Sequence, residues 1–141
     1  MEEQELREVA ARLHAAAIRL LRTLRREDDG SGLSAPRLSA LSVVAFAGPL
    51  SLAELAAAEQ VRPPTMSRIV DALVAAGLVT RHADTRDRRS VRIAVTAEGR
   101  KVMEAGRERR VRALAERLGR LDAPERRRLG DGVGLIERLL R

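Results

Sequence analysis

Apolar positions recur along this chain with two different periods, and the order in which they occur outlines its elements. From about Glu2 to Arg26, the residues Leu6, Val9, Leu13, Ala17, Leu20 and Leu24 return at three- and four-residue steps, which predicts a long helix with one apolar stripe. Asp28-Asp29-Gly30-Ser31-Gly32 is expected to break it. A second helix is expected from Ser34, an N-cap type followed by Pro36 in the first turn, with Leu38, Leu41, Val44 and Ala45 on its apolar face and Gly48-Pro49 at its end. Ser51 and Glu54 have the spacing of a capping box and open a short third helix with Leu52, Leu55 and Ala56 inward. After a Glu59-Gln60-Val61 turn, Pro63-Pro64 starts a fourth helix that buries Met66, Ile69, Val70 and Leu73. Gly77 ends it as a left-handed C-cap, with Leu78 placed for the accompanying apolar contact.

The period then changes to two. Leu78 to His82 predicts a short strand, and Val91, Ile93 and Val95, alternating with Arg92 and Ala94, predict a second. The charged stretch from Ala83 to Ser90 joins them as a hairpin loop. Thr96 caps a fifth helix reaching about Gly119, with Val102, Val111, Leu114 and Leu118 on one face. Asp122 and Glu125, around Pro124, form a second capping box, and the last helix carries Leu129, Val133, Ile136, Leu139 and Leu140.

Ser51 to Gly77 has the layout of a helix-turn-helix, two short helices about a tight turn. With Met66, Ile69, Val70 and Leu73 inward, Pro64, Thr65, Ser67, Arg68, Asp71 and Ala72 lie outward or at the edges, with small and hydrogen-bonding residues near the helix start, as entry into a major groove requires. Arg62 stands just before them. Arg68 is the candidate for a bidentate contact to guanine; a solvated helix arginine is the alternative. The loop that follows carries Arg86, Arg88 and Arg89 beside Asp84 and Asp87. A charged turn of this kind is commonly only solvated. Directly after a helix-turn-helix it becomes a wing, whose arginines can reach phosphates or a narrow minor groove.

Composition agrees with this picture. The chain has 141 residues, 45% hydrophobic and 33% charged, with Phe46 as its one aromatic side chain. That fits one mainly helical domain with an aliphatic core. The net charge of +7 is carried almost wholly by arginine and favours a polyanionic partner. The absence of cysteine removes disulfides, thiolate metal sites and thiol redox switching. No stretch has the length or apolarity of a membrane span or the layout of a signal peptide, so the cytoplasm is the expected location and no membrane partner is expected.

The stretches Val61 to Arg81 and Asp84 to Gly99 together resemble the recognition helix, wing and following helix of the MarR family of winged-helix regulators. The resemblance extends in layout over the whole chain. It implies a mainly α fold with a small β-hairpin wing, in which residues 34–96 form the DNA-binding lobe and residues 1–33 and 97–141 form dimerisation helices. It implies a homodimer that presents two winged helices to a pseudo-palindromic operator on double-stranded DNA. It also implies a repressor, released by a small-molecule effector bound between the dimerisation helices and the lobe. The wing arginines Arg86, Arg88 and Arg89 would lie near the minor groove, with Asp87 orienting Arg89. The Pro63-Pro64 pair departs from the serine or threonine that many members carry there, which removes side-chain donors at the helix entry. His14 and Arg37 are the candidate effector contacts.

Zinc sensing finds no clustered ligands, since His14 and His82 are the only histidines. An enzyme is not indicated either: Gly130-Asp131-Gly132-Val133-Gly134 lacks the context of a phosphate-binding loop, and no Ser/His/acid set has a supporting context, so neither cofactor nor catalytic residue is expected. The competing class is a basic helical protein-interaction module without sequence-specific DNA binding.

Overall fold

The computed structural model describes residues 1–87 and 89–141. Its elements run α1 (Glu2–Arg25), a 3₁₀ turn (Arg26–Ser31), α2 (Ala35–Ala47), β1 (Leu50–Ser51), α3 (Leu52–Ala58), α4 (Pro63–Ala75), β2 (Val79–Ala83), β3 (Val91–Val95), α5 (Ala97–Leu118) and α6 (Ala123–Leu139). The fold is mostly helical, with one small antiparallel sheet in the strand order β1-β3-β2.

Every large core residue comes from the middle of the chain. Leu41 and Val44 of α2, Leu55 of α3, Met66, Val70 and Leu73 of α4, Val79 of β2 and Ile93 of β3 are all essentially inaccessible. Ala40 of α2 is fully buried as well, whereas Leu38 and Ala45 are only half-buried. Ile69, expected in the core, is also only half-buried and packs at the core's edge.

Two joints set the helix-turn-helix. The α3 helix ends on Gln60 in the left-handed region at φ 55, with the Val61 amide donating to the Ala56 carbonyl (3.0 Å) and the Gln60 amide to Ala57 (3.2 Å). The α4 helix ends in the same way on Gly77 at φ 75: the Leu78 amide donates to Leu73 (3.0 Å) and the Gly77 amide to Val74 (2.9 Å). This is the double bond pattern of a Schellman cap, and Leu78 and Leu73 are both buried beside it.

Three expectations change in detail. The break expected at residues 28–32 is completed at Gly32, at φ 72, but the α-helix already stops at Arg25 and a 3₁₀ turn over Arg26–Ser31 carries the chain between them. Side chains from α5 hold that turn: Arg109 Nε donates to the Glu27 carbonyl (3.1 Å) and Arg110 Nη1 to Asp28 Oδ1 (2.7 Å). The second change is β1, which adds a third strand by pairing Leu50 with Ile93 and Ser51 with Arg92; two residues are too short to show an alternating pattern. The third is the box at Ser51. The Glu54 amide does donate to Ser51 Oγ (3.1 Å), but the Glu54 carboxylate pairs with Arg92 Nη1 (3.3 Å) instead of reaching back. At Asp122 and Glu125 both halves of the box form.

The outer helices are different. No residue of α1 or α6 is buried, and Leu6, Val9, Leu20 and Leu21 on α1 and Leu129, Val133, Leu135 and Leu139 on α6 remain exposed. No helix among the described residues is long and apolar enough to cross a membrane.

Candidate nucleic-acid interface

The α4 helix divides its residues cleanly. Met66, Val70 and Leu73 are anchored in the core, which turns the intervening positions outward. Arg62, Pro64, Thr65 and Arg68 are exposed and Ser67 is half-buried. Arg62 is the N-cap and offers no side-chain cap, so the two prolines at the start of the helix limit the number of unpaired amides. No acidic residue stands in the first turn of α4. The nearest carboxylate on its outer side, Asp71, is paired with Arg81 of β2, which ties the end of the exposed face to the first strand of the hairpin.

The hairpin is a regular antiparallel ladder from Val79 opposite Val95 to Ala83 opposite Val91. Its loop is shaped by its aspartates. The Asp84 amide donates to the Ser90 carbonyl (2.9 Å) and closes the loop's base. Asp84 Oδ1 accepts from the Arg86 amide (2.9 Å) and Asp87 Oδ1 from the Arg89 amide (3.0 Å). Both are side-chain-to-backbone turns of the kind aspartate favours. Arg86 and Arg89 are therefore placed by their main chains, and both are exposed. Asp87, expected to orient Arg89, touches its backbone amide. Arg88 lies outside the described residues.

The Asp84 carboxyl has a displaced pKa. The Arg86 amide is the main cause and holds the carboxyl below its ordinary value; partial burial opposes it, and the Arg92 guanidinium and the Asp87 amide add to the lowering. Arg92 was not among the sequence candidates. From β3 it donates Nε to Asp84 Oδ2 (3.2 Å) and Nη1 to Glu54 Oε1 (3.3 Å). Only its alternation with Val91 and Ile93 marked it as facing away from the core.

Two further features lie away from this face. A cleft of about 230 Å³ between α2 and α5 has Ala45, Phe46 and Met103 as its apolar lining and Arg100, Glu104, Arg107 and Arg110 as its charged lining. Phe46 is 82% exposed. His14 and Arg37 are exposed and are not among the residues lining the cleft. No group of three or more potential metal ligands occurs among the described residues.

Known proteins resemble this arrangement in sequence and in shape. The sequence model of the MarR family matches residues 33–91, which span α2 to the start of β3. An uncharacterised helix-turn-helix-type transcriptional regulator of Mycobacterium bovis is 37% identical over 91% of this chain and 90% of its own length. A putative transcriptional regulator of Pseudomonas aeruginosa has the same fold at a TM-score of 0.78, with 31% identity over 98% of this chain and 96% of that one. A variant of S. aureus MepR bound to an oligodeoxyribonucleotide superposes with a TM-score of 0.71 over 92% of this chain and 95% of its own, at 17% identity.

Proposed function

Because the chain belongs to the MarR family and is a transcriptional regulator with a DNA-binding helix-turn-helix, we propose that two copies bind one pseudo-palindromic operator in the cytoplasm and repress transcription until a small molecule releases them. The observation that carries this is the exposed face of α4. Arg62, Pro64, Thr65 and Arg68 stand free of the core on a rigid helix, followed by a hairpin whose turns fix Arg86 and Arg89. Helix residues of this kind read base edges, and loop arginines bind phosphates or the minor groove. The MepR variant solved with an oligodeoxyribonucleotide shares the fold, which supports duplex DNA as the partner.

Residues 1–33 and 97–141 supply the second copy's contact surface in this account, since the apolar stripes of α1 and α6 are left uncovered by the described residues. A two-fold dimer matches the symmetry of an inverted repeat. The effector would be a small anionic molecule in the cleft between α2 and α5, where Arg100 and Arg107 face the apolar Phe46 and Met103.

Selection of bound fragments from random-sequence duplex tests the reading. Enrichment of one inverted repeat is the expected result. Recovery of unenriched sequence would support the alternative, a basic helical interaction module.

A further inference from the structure

We propose that Arg92 is the positioning residue of the wing, holding it at a fixed place relative to the helix-turn-helix. This rests on the DNA-binding reading above and adds a role to a residue outside the interface itself. Arg92 sits on β3 opposite His82 of β2. Its Nη1 reaches Glu54 in the first turn of α3, and its Nε reaches Asp84 where the loop begins. The second oxygen of Asp84 then accepts from the Arg86 amide. A continuous series of polar contacts thus leads from α3 through one guanidinium to the backbone of a wing arginine.

The chemistry suits a geometric role more than a stabilising one. The donors of a guanidinium are fixed in one plane, so two carboxylates bound together are held at a set separation. The pair with Glu54, 56% exposed against 36% for Arg92, is open to water and contributes little to stability; Asp84 is only 13% exposed, but its carboxylate also accepts from the Arg86 amide and so keeps a partner when Arg92 is removed. The hairpin's other ties to the helices lie at its base, where Val79 and Ile93 are buried in the core and Arg81 pairs with Asp71 of α4. The loop beyond Ala83 is closed by its own turns. Removing Arg92 should therefore leave the fold intact and let the loop of the wing drift.

Affinity for a duplex recovered from random-sequence selection, measured by titration, separates this from a direct phosphate contact. Arg92→Ala should weaken binding roughly tenfold, while in a chain whose Arg86, Arg88 and Arg89 are already alanine the same change should cost less than about twofold, since residues that act through one another do not add. Equal reductions in the two backgrounds would overturn the proposal and make Arg92 an independent contact. Glu54→Gln gives a second sign. It removes a negative charge from a DNA-binding lobe, so electrostatics alone predicts tighter binding; the clamp predicts weaker binding, by about threefold at unchanged melting temperature. Tighter binding by Glu54→Gln would also overturn the proposal, and this exposed, isosteric change decides the matter if Arg92→Ala does not fold. A wild-type chain that binds no duplex would instead refute the DNA-binding reading, which distinguishes the two failures.

Discussion

A side chain of any size at position 99 would collide with backbone. A Cβ built on Gly99 would stand 2.2 Å from the Leu78 carbonyl oxygen and 2.7 Å from Val95 Cγ2. The crowding follows from how α5 begins: the Thr96 amide donates to Leu78 (3.0 Å), Thr96 Oγ1 donates to the Gly77 carbonyl (2.6 Å), and the Gly99 amide donates back to Thr96 Oγ1 (3.0 Å). Gly99→Ala should destabilise the chain by about 1–3 kcal/mol in urea unfolding, the usual cost of forcing atoms into a filled site; an unchanged midpoint would mean that the α5 entry shifts freely. Asp84 gives a pH expectation. A carboxyl lowered in the folded chain contributes order that is complete above its ordinary value of 3.8 and disappears as pH falls through the lower one. Hydrogen-exchange protection of the Arg86 amide, corrected for intrinsic rates, should thus hold constant from about pH 8 to about pH 5. A fall in protection within that range would show that Asp84 does not tie the loop. On the recognition helix, Arg68→Ala should cost about 1–3 kcal/mol on the selected duplex and much less on random DNA. Local residue-scale features were legible in the sequence where neighbours decide them. The cap at Gly77 and the box at Asp122 formed as the spacing predicts, whereas Glu54 turned to a partner 38 positions away, which no local pattern encodes.

At the scale of elements, most of the helices were legible from a cap, a stop signal or a periodic face. The α1 helix was expected to end at about Arg26 and ends at Arg25, and β3 runs from Val91 to Val95 as its alternation indicates. What escaped was decided by packing. β1 exists because Leu50 and Ser51 meet β3 after α2 has brought them there, and the 3₁₀ turn persists because Arg109 and Arg110 arrive from α5. The wing and α4 are separate elements with separate expected effects. Arg86→Ala and Arg89→Ala should weaken selected and random duplex to similar degrees. Each should also lower the salt slope of log affinity by about one unit if its guanidinium neutralises one phosphate. A weakening confined to the selected duplex would make these residues base readers. Asp87→Ala removes a negative charge, yet it also removes the turn that places Arg89. The expected outcome is weaker binding at two salt concentrations; tighter binding at both would leave Asp87 without an orienting role.

For the whole molecule, the contrast between a sealed central core and bare outer helices is the feature on which the proposed dimer rests. Leu6, Val9 and Leu20 of α1 and Leu129, Val133 and Leu139 of α6, all on the two apolar stripes, are exposed, and in the proposed dimer a second copy would bury them together. Val133→Glu should turn a sedimenting dimer into a monomer of unchanged helicity. It should also reduce operator affinity by more than about tenfold, because linked half-sites then bind separately. The helical stripes were legible in the sequence as apolar periodicity, but which surface covers which was not, since a single chain's pattern does not contain the partner's geometry. The central claim is that two copies read one inverted repeat, and the most direct test is an equilibrium titration of wild-type protein against the selected duplex and a scrambled duplex of equal length at one physiological salt concentration. The account predicts two chains per duplex and an affinity at least about a thousandfold above that for the scrambled sequence. Equal affinity for the two duplexes, or one chain per site at saturation, would contradict it.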